Sequence, residues 1–345
     1  MNGMHERGFR WPIYLSLSLG VVATALLCVC VGSVNIPLGD TFTALWCTLR
    51  GLPAPEGVAT SVIMFVRLPR VLCVALTGAA LSLCGAAMQG LLRNPLADGS
   101  TLGVSSGASL GAVLAIALGW TLPGVNYAGS MGMAMLFAFL SLVCILSLAY
   151  RLDHSLATQT IILIGVIFTM FAHSLISLII TFSGDKVKSI MFWTMGSLAG
   201  SSYGNALALA AALLVCGTLL WRSAPELNAF AIGEDNARHV GVDVKRVKLR
   251  VLIAASVLIG VCVSIGGTIG FVGLVIPHIL RMVTGPNHRR LLPATLFGGA
   301  IFLMLTDLLG RTILSPLEIP IGVITSMIGA VVFVSVFYTS RKAKA

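Results

Sequence analysis

The residues in this sequence best suited to do chemistry are two serines beside glycines. The stretch Gly103-Val-Ser-Ser-Gly107 matches the G-x-S-x-G pattern of a hydrolase nucleophile. That pattern works only on a strand-to-helix elbow with acid and histidine partners, whereas here it opens an apolar, helical-looking segment. Its glycines and Gly111 also have the small-xxx-small spacing of closely packed membrane helices. We interpret it as a packing stripe, and keep as the weaker alternative an intramembrane protease using Ser105 or Ser106 with histidines of other segments.

Two histidines, His173 and His278, lie within apolar segments. An ionisable group inside a membrane is a functional candidate by default. A neutral histidine can also bond to backbone groups that a neighbouring proline or glycine leaves free, and His278 follows Pro277. We therefore favour a structural role for His278 and leave the role of His173 open.

Carboxylates at mid-membrane depth are the usual sign of an ion-coupled carrier. Here Asp307 and Glu318 lie towards the outer ends of their apolar segments, and no segment carries a carboxylate near its centre. An ion-coupled secondary carrier is therefore disfavoured, although it stays a rival interpretation. The sequence also lacks the G-x-x-x-x-G-K-[ST] loop that holds ATP phosphates, so we predict that the chain is not itself an ATPase.

The elements that position these residues are predicted to be membrane helices. The chain has 345 residues, of which 57% are hydrophobic and 10% charged, and its mean hydropathy is +0.99. Soluble domains are about 25% charged, so this composition excludes a soluble enzyme, a disordered chain and a nucleic-acid-binding domain. We predict an all-α polytopic membrane protein in which residues 1–345 form a single domain.

Uncharged apolar runs divide the chain into about ten transmembrane helices. We place them at 13–34, 71–92, 101–118, 131–149, 160–181, 203–220, 249–269, 271–283, 291–308 and 321–338. The eighth is short, follows several glycines and contains Pro277, which predicts a broken or re-entrant helix. With this count most of the 22 basic residues lie on one side, so the positive-inside rule places both termini in the cytoplasm.

The longest polar stretch on the cytoplasmic side runs from residue 221 to residue 250. It reads as two short helices, the first with a capping box formed by Ser223 and Glu226. Gly233 can end that helix, and Glu234 favours the start of the next because acidic side chains stabilise a helix N-terminus. This pair is either a solvated connector or a docking element for a cytoplasmic partner.

Among the basic residues predicted on the outer side, three arginines are candidates for a role. Arg311 lies one helical turn after Asp307, so an ion pair within that helix is its simplest role. Arg67 and Arg70 flank a proline and have no acidic neighbour in the sequence. They either extend to the membrane surface or bind a carboxylate of another protein.

Several motifs spread over nearly the whole chain resemble the FecCD-type permeases, the membrane subunits of binding-protein-dependent ABC importers for iron–siderophore complexes, haem and cobalamin. The motifs that carry the resemblance are Arg67-Leu-Pro-Arg70, Gly78-Ala-Ala-Leu-Ser-Leu-Cys-Gly85, Arg93-Asn-Pro-Leu-Ala-Asp98 leading into Leu102-Gly-Val-Ser-Ser-Gly107, Phe192-Trp-Thr-Met-Gly-Ser197, Leu227 through Gly241, Gly270-Phe-Val-Gly-Leu-Val-Ile-Pro-His278 and Ile319-Pro-Ile-Gly322.

The resemblance implies the type II ABC importer permease architecture, in the cytoplasmic (inner) membrane of a bacterium. Two permeases, identical or different, would form one path, with two cytoplasmic ATPases that bind ATP and Mg and an extracytoplasmic binding protein. This chain would hold no cofactor or metal and bind no nucleic acid. For the cargo we predict an iron–siderophore complex, with haem or cobalamin as the alternative.

The resemblance also assigns roles to residues. The segment 223–243 would contain the helices that couple to the ATPase, through Glu226, Leu227, Phe230, Gly233, Glu234, Ala237, Arg238 and Gly241. Arg67, Arg70 and Arg311 would meet glutamates of the binding protein. Thr158 and Gln159 would lie at the cytoplasmic gate, where family members carry small hydroxyl residues and Gln159 is larger.

Overall fold

The computed structural model describes residues 11–34, 36–50, 57–99, 102–120, 128–154 and 156–342. Within these ranges the chain is helical and contains no strand. Its helices are α1 Trp11–Cys30, α2 Leu38–Leu49, α3 Val58–Val62, α4 Leu68–Leu91, α5 Val104–Leu118, α6 Ala128–Leu152, α7 Thr158–Phe182, α8 Val187–Thr194, α9 Tyr203–Arg222, α10 Ala224–Phe230, α11 Glu234–His239, α12 Val244–Gly266, α13 Val272–Thr284, α14 His288–Thr312 and α15 Ile321–Lys342.

The ten predicted segments are confirmed as helices. In the described part of the chain, seven helices are long and apolar enough to cross a membrane, while α5, α13 and the stretch Ile321–Ser335 of α15 are shorter apolar segments. The predicted eighth segment is α13, which is separated from α12 by residues 267–271. Two short helices, α2 and α8, are additions that the apolar runs did not indicate.

The second predicted segment begins earlier than expected. A π-helical turn, Ile63–Arg67, joins α3 to α4, and together they form one apolar helix, Val58–Leu91. At this turn the Leu68 N–H bonds to the Ile63 carbonyl, five residues back. The ring of Pro69 would clash with the carbonyl four residues before it in a regular helix, and a wider turn avoids that clash. Arg67 and Arg70 therefore lie within a helix and not on a loop before it.

Helix α4 lies at the centre of the bundle, packed against α9, α12, α13 and α14. Two of its glycines permit backbone contact. A Cβ atom added at Gly78 would lie 2.2 Å from the carbonyl oxygen of Gly299 on α14, and one at Gly85 would lie 1.9 Å from that of Gly273 on α13. Membrane helices use such small residues to approach closely, since van der Waals contact replaces the hydrophobic drive that lipid does not supply.

The G-x-S-x-G stretch is a packing stripe, as the sequence indicated. A Cβ atom at Gly107 would lie 2.4 Å from the Ser141 hydroxyl, and one at Gly111 would lie 2.3 Å from the Met133 carbonyl, both on α6. The Ser105 hydroxyl donates to the Gly99 carbonyl. No strand precedes the stretch in the described residues, so the elbow that a hydrolase nucleophile requires is not formed.

The proline of α13 is compensated by a residue that the sequence did not single out. Pro277 cannot donate to the carbonyl of Gly273 four residues earlier. The buried Gln89 amide of α4 donates to that carbonyl at 3.2 Å, and its own oxygen accepts from Arg281 at 3.0 Å. The Nδ1 of His278 is buried and has no hydrogen-bond partner, so Gln89, and not this nitrogen, bonds to the freed carbonyl.

Candidate functional site

The polar stretch after α9 folds into two short helices, as predicted, but without the predicted capping box. Ser223 has a near-helical backbone that continues α9, whereas an N-cap requires an extended one. Its hydroxyl donates back to the Leu219 carbonyl at 3.0 Å. Glu226 instead lies 3.5 Å from Arg250 on α12. Gly233, with a φ of 115°, makes the bend between α10 and α11, and Glu234 begins α11.

Some of the predicted coupling residues are buried and others are exposed. Leu227, Phe230 and Ala237 are fully buried and fix the two helices to the rest of the protein. Arg238 and Gly241 are exposed. Two large apolar side chains that the sequence did not single out, Ile232 and Val240, are 61% and 66% exposed on the same segment. Exposed apolar side chains on a polar face are typical of a protein contact.

Helix α10 is bonded to the start of α14. The side-chain oxygen of Asn228 accepts from the backbone N–H of His288 and lies 2.9 Å from its ring Nδ1. The Asn228 amide donates to the Asn287 side chain at 3.0 Å. Through these bonds and the pair of Glu226 with Arg250, α10 is held by both α12 and α14.

Helix α11 is bonded to residues 156–159, which lead into α7 and are hereafter called the α6–α7 turn. Both carboxylate oxygens of Glu234 lie 2.8 Å from the Lys248 ammonium of α12, which is fully buried. The same ammonium donates to the Leu156 carbonyl at 2.8 Å. The Thr158 hydroxyl donates to Glu234 at 3.0 Å. Residues assigned to coupling and to the gate are thus in direct contact.

A cavity of about 540 Å³ opens between these two elements. Thr158 and Gln159 form one wall and Gly233 through Asn236 form the other, with Arg93 beside them. Gln159 is exposed and Thr158 is half-buried. The gate role of both residues stays a prediction.

The three outer arginines are buried, contrary to what docking requires of a free side chain. Arg70 lies 2.9 Å from Asp307 and 2.8 Å from Glu318. Arg70 has no acidic neighbour in the sequence, but the fold brings two carboxylates from distant parts of the chain to it. The Arg311 guanidinium lies 3.0 Å from Asp307, which confirms the pair within α14.

Two of these arginines also close the outer end of α1. The guanidinium of Arg67 donates to the carbonyls of Val29, Cys30 and Val34. Arg311 donates to the carbonyl of Cys28 at 3.1 Å. The last carbonyls of a helix have no partner within it, and a cation there is favourable. Docking of a binding protein through Arg67, Arg70 and Arg311 stays a prediction, and their internal bonds give them a structural role beside it.

One face of α7 is exposed along most of its length. It carries large apolar side chains, among them Ile167, Met170 and Phe171, which are 56–67% exposed. His173, Ser174 and Ser177 lie exposed on the same helix. The hydroxyls of both serines donate to carbonyls four residues earlier. Helix α7 contains no aspartate, glutamate, lysine or arginine, so the face is mixed in polarity and has no fixed charge.

The sequence pattern of the FecCD transport family matches residues 20–339. The hemin transport system permease protein HmuU of Yersinia pestis is 33% identical over 330 residues, which are 95% of this chain and 97% of HmuU. The vitamin B12 import system permease protein BtuC of Salmonella typhi is 38% identical over 339 residues, which are 98% of this chain and 97% of BtuC.

A solved structure has the same fold. It is described as an inward-facing conformation of an ABC transporter assigned to the metal-chelate type. It is 33% identical to this chain and superposes with a TM-score of 0.83, covering 95% of this chain and 99% of the other.

Proposed function

Because the chain belongs to the FecCD transport family and is a permease subunit of an ABC importer, we propose that its cargo passes along the exposed face of α7, between this subunit and a second permease. The observation that carries this proposal is the polarity of that face. Lipid contact would favour a purely apolar surface, whereas His173, Ser174 and Ser177 are exposed there. A partly hydrated path between two subunits accommodates both kinds of side chain.

We propose the coupling segment, residues 223–243, as the docking site of a separate cytoplasmic ATPase that binds ATP and Mg. Ile232 and Val240 would supply the apolar contact and Arg238 a charge at its edge, while Leu227, Phe230 and Ala237 fix the segment from within. With this face in the cytoplasm, both termini lie there too, and the complex belongs in the bacterial inner membrane. An extracytoplasmic binding protein would deliver the cargo.

For the cargo we propose a metal chelate, with an iron–siderophore complex first and haem or cobalamin as the alternative. A bulky chelate requires a wide path with few strong contacts, since tight binding would stop transit. The apolar and hydroxyl side chains of α7, without fixed charge, meet that requirement. The relatives named for hemin and for vitamin B12 are 33% and 38% identical, so overall identity does not select among these chelates.

Uptake into proteoliposomes tests the cargo. The permease complex, purified from its native membrane with its binding protein, is supplied with a radiolabelled ferric hydroxamate siderophore, haem or cobalamin, with and without ATP inside. We expect ATP-dependent uptake of the ferric siderophore. If only haem or only cobalamin were taken up with ATP, that compound would be the cargo and the siderophore proposal would be wrong. If none of the three were taken up, the proposal of a metal chelate would be contradicted.

A further inference from the structure

The most unusual charged residue in the described chain is Lys248, because its side chain is completely buried. Placing an ammonium inside a protein costs free energy unless the charge is paired and its N–H groups are bonded. Glu234 supplies the opposite charge and the Leu156 carbonyl supplies a further acceptor, each at 2.8 Å. One side chain of α12 thus bonds to two separate elements.

The first of those elements is the α6–α7 turn, which has a strained backbone. Leu156 has a φ of 53°, in the left-handed region that a branched side chain rarely adopts. Such a backbone conformation is unfavourable for a leucine and persists only where its surroundings hold it. The Asp153 carboxylate accepts from the Ala157 N–H on one side, and Lys248 bonds the Leu156 carbonyl on the other. Lys248 therefore helps to fix the start of α7.

The second element is the first residue of α11. Glu234 pairs with Lys248 and accepts from Thr158, so the coupling segment and α7 share one carboxylate. Beside these bonds, both elements line the cavity of about 540 Å³. A displacement of α11 that kept these bonds would carry the α6–α7 turn with it.

We propose that Lys248 is a positioning residue that joins α11 to the α6–α7 turn, so that both move as one body when a docked ATPase moves the coupling segment. This inference rests on the proposed function. Lys248 touches neither the cargo path on α7 nor the exposed docking face, and it acts through Glu234 and Leu156. Without the bonds of Lys248, the ATPase would still hydrolyse ATP, but its motion would no longer reach the α6–α7 turn.

The test uses the complex purified with its ATPase and a cysteine at the exposed Gln159, in a background where the exposed Cys144 is serine. The readout is labelling of Gln159→Cys by a membrane-impermeant maleimide, with and without ATP. In the otherwise unchanged complex we expect ATP to change the labelling rate. Lys248→Met removes the buried ammonium at a residue outside the coupling segment, and it leaves Glu234, whose side chain is 25% exposed, with its bond from Thr158.

In Lys248→Met we expect ATP hydrolysis to continue while the ATP-dependent change in labelling falls by roughly tenfold, the scale of a typical coupling between two sites. Lys248→Arg keeps the charge and is expected to keep most of the response. Should Lys248→Met fail to assemble, Thr158→Val removes only one bond at a half-buried residue, and it is expected to reduce the response in a folded complex.

A wild-type response in Lys248→Met, or in Thr158→Val if that variant has to be used, would overturn the proposed role of Lys248. A different result would overturn the proposed function instead. If ATP did not alter labelling of Gln159→Cys even with Lys248 and Glu234 in place, the α6–α7 turn would not be a gate.

Discussion

Replacing Asp307 with alanine is expected to abolish or severely reduce the yield of folded protein. Asp307 is 2% exposed and is shared by two buried arginines, Arg70 and Arg311. Removing the carboxylate leaves both guanidinium groups with too little compensating charge in a poorly solvated place. Breaking a buried ion pair in this way costs about 3–5 kcal/mol, a large part of the stability of most domains. The measurement is the thermal unfolding midpoint and the monodisperse fraction in detergent.

The matched control is Asp235→Ala. Asp235 also pairs with an arginine on its own helix, at 3.3 Å from Arg238, but its side chain is 88% exposed. Surface pairs contribute little, so we expect the midpoint to change only slightly. Equal midpoints for the Asp307 and Asp235 variants would show that the buried network does not stabilise the outer end of the bundle.

The same network alters what a charge reversal at Arg70 would measure. A glutamate at that position would lie beside Asp307 and Glu318, so three carboxylates would meet where one cation had balanced two. We therefore expect a charge reversal at Arg70 to impair folding as well as any docking. A docking experiment at this site has to report folding and binding separately.

Replacing Gly85 with alanine is expected to have the second large effect. In an isolated helix this change is favourable by about 1 kcal/mol, because alanine has the higher helix propensity. Here the added Cβ atom would lie 1.9 Å from the Gly273 carbonyl oxygen and 2.4 Å from its Cα atom. Neither atom belongs to a flexible side chain, so α4 and α13 would have to separate. We expect a loss of more than about 3 kcal/mol, at or above the usual range for overpacking, read as a lower unfolding midpoint.

Gly132→Ala is the control for that variant. Gly132 lies in α6 and has no atom within 4 Å of the position that a Cβ would take. The unfolding midpoint is expected to stay the same or rise, because only the helix propensity changes. If both glycine variants were equally stable, α4 and α13 would not be in backbone contact.

The membrane helices could be predicted from the sequence because each is a long apolar run, and membrane crossing depends on length and hydropathy. Helix α2 was missed because it has 12 residues and mixes Asp40 and threonines with apolar side chains. The start of α4 was predicted too far along the chain because Arg67, Pro69 and Arg70 are residue types common in loops. Arg70 pairs with Asp307, which is 237 residues away in the chain, so the local sequence does not reveal this partner.

The candidate site was predicted in outline but not in its contacts. Glycines and acidic residues fixed the positions of α10 and α11, since these residue types favour particular helix ends. Lys248 was overlooked although a signal existed. Val244, Val251 and Leu252 lie one helical turn away from it, and all three are buried. A lysine on such an apolar stripe requires an internal partner, and that pattern can be read from sequence.

We propose that transport by this permease depends on a separate ATPase docked on the coupling segment. Affinity purification of the chain from its native membrane in mild detergent, followed by cross-linking and mass spectrometry, tests it directly. We predict a stoichiometric soluble subunit with a P-loop, cross-linked within residues 223–243, and a second permease in the same complex. If the chain purified alone and moved solute into liposomes without ATP, the proposed dependence on an ATPase would be contradicted.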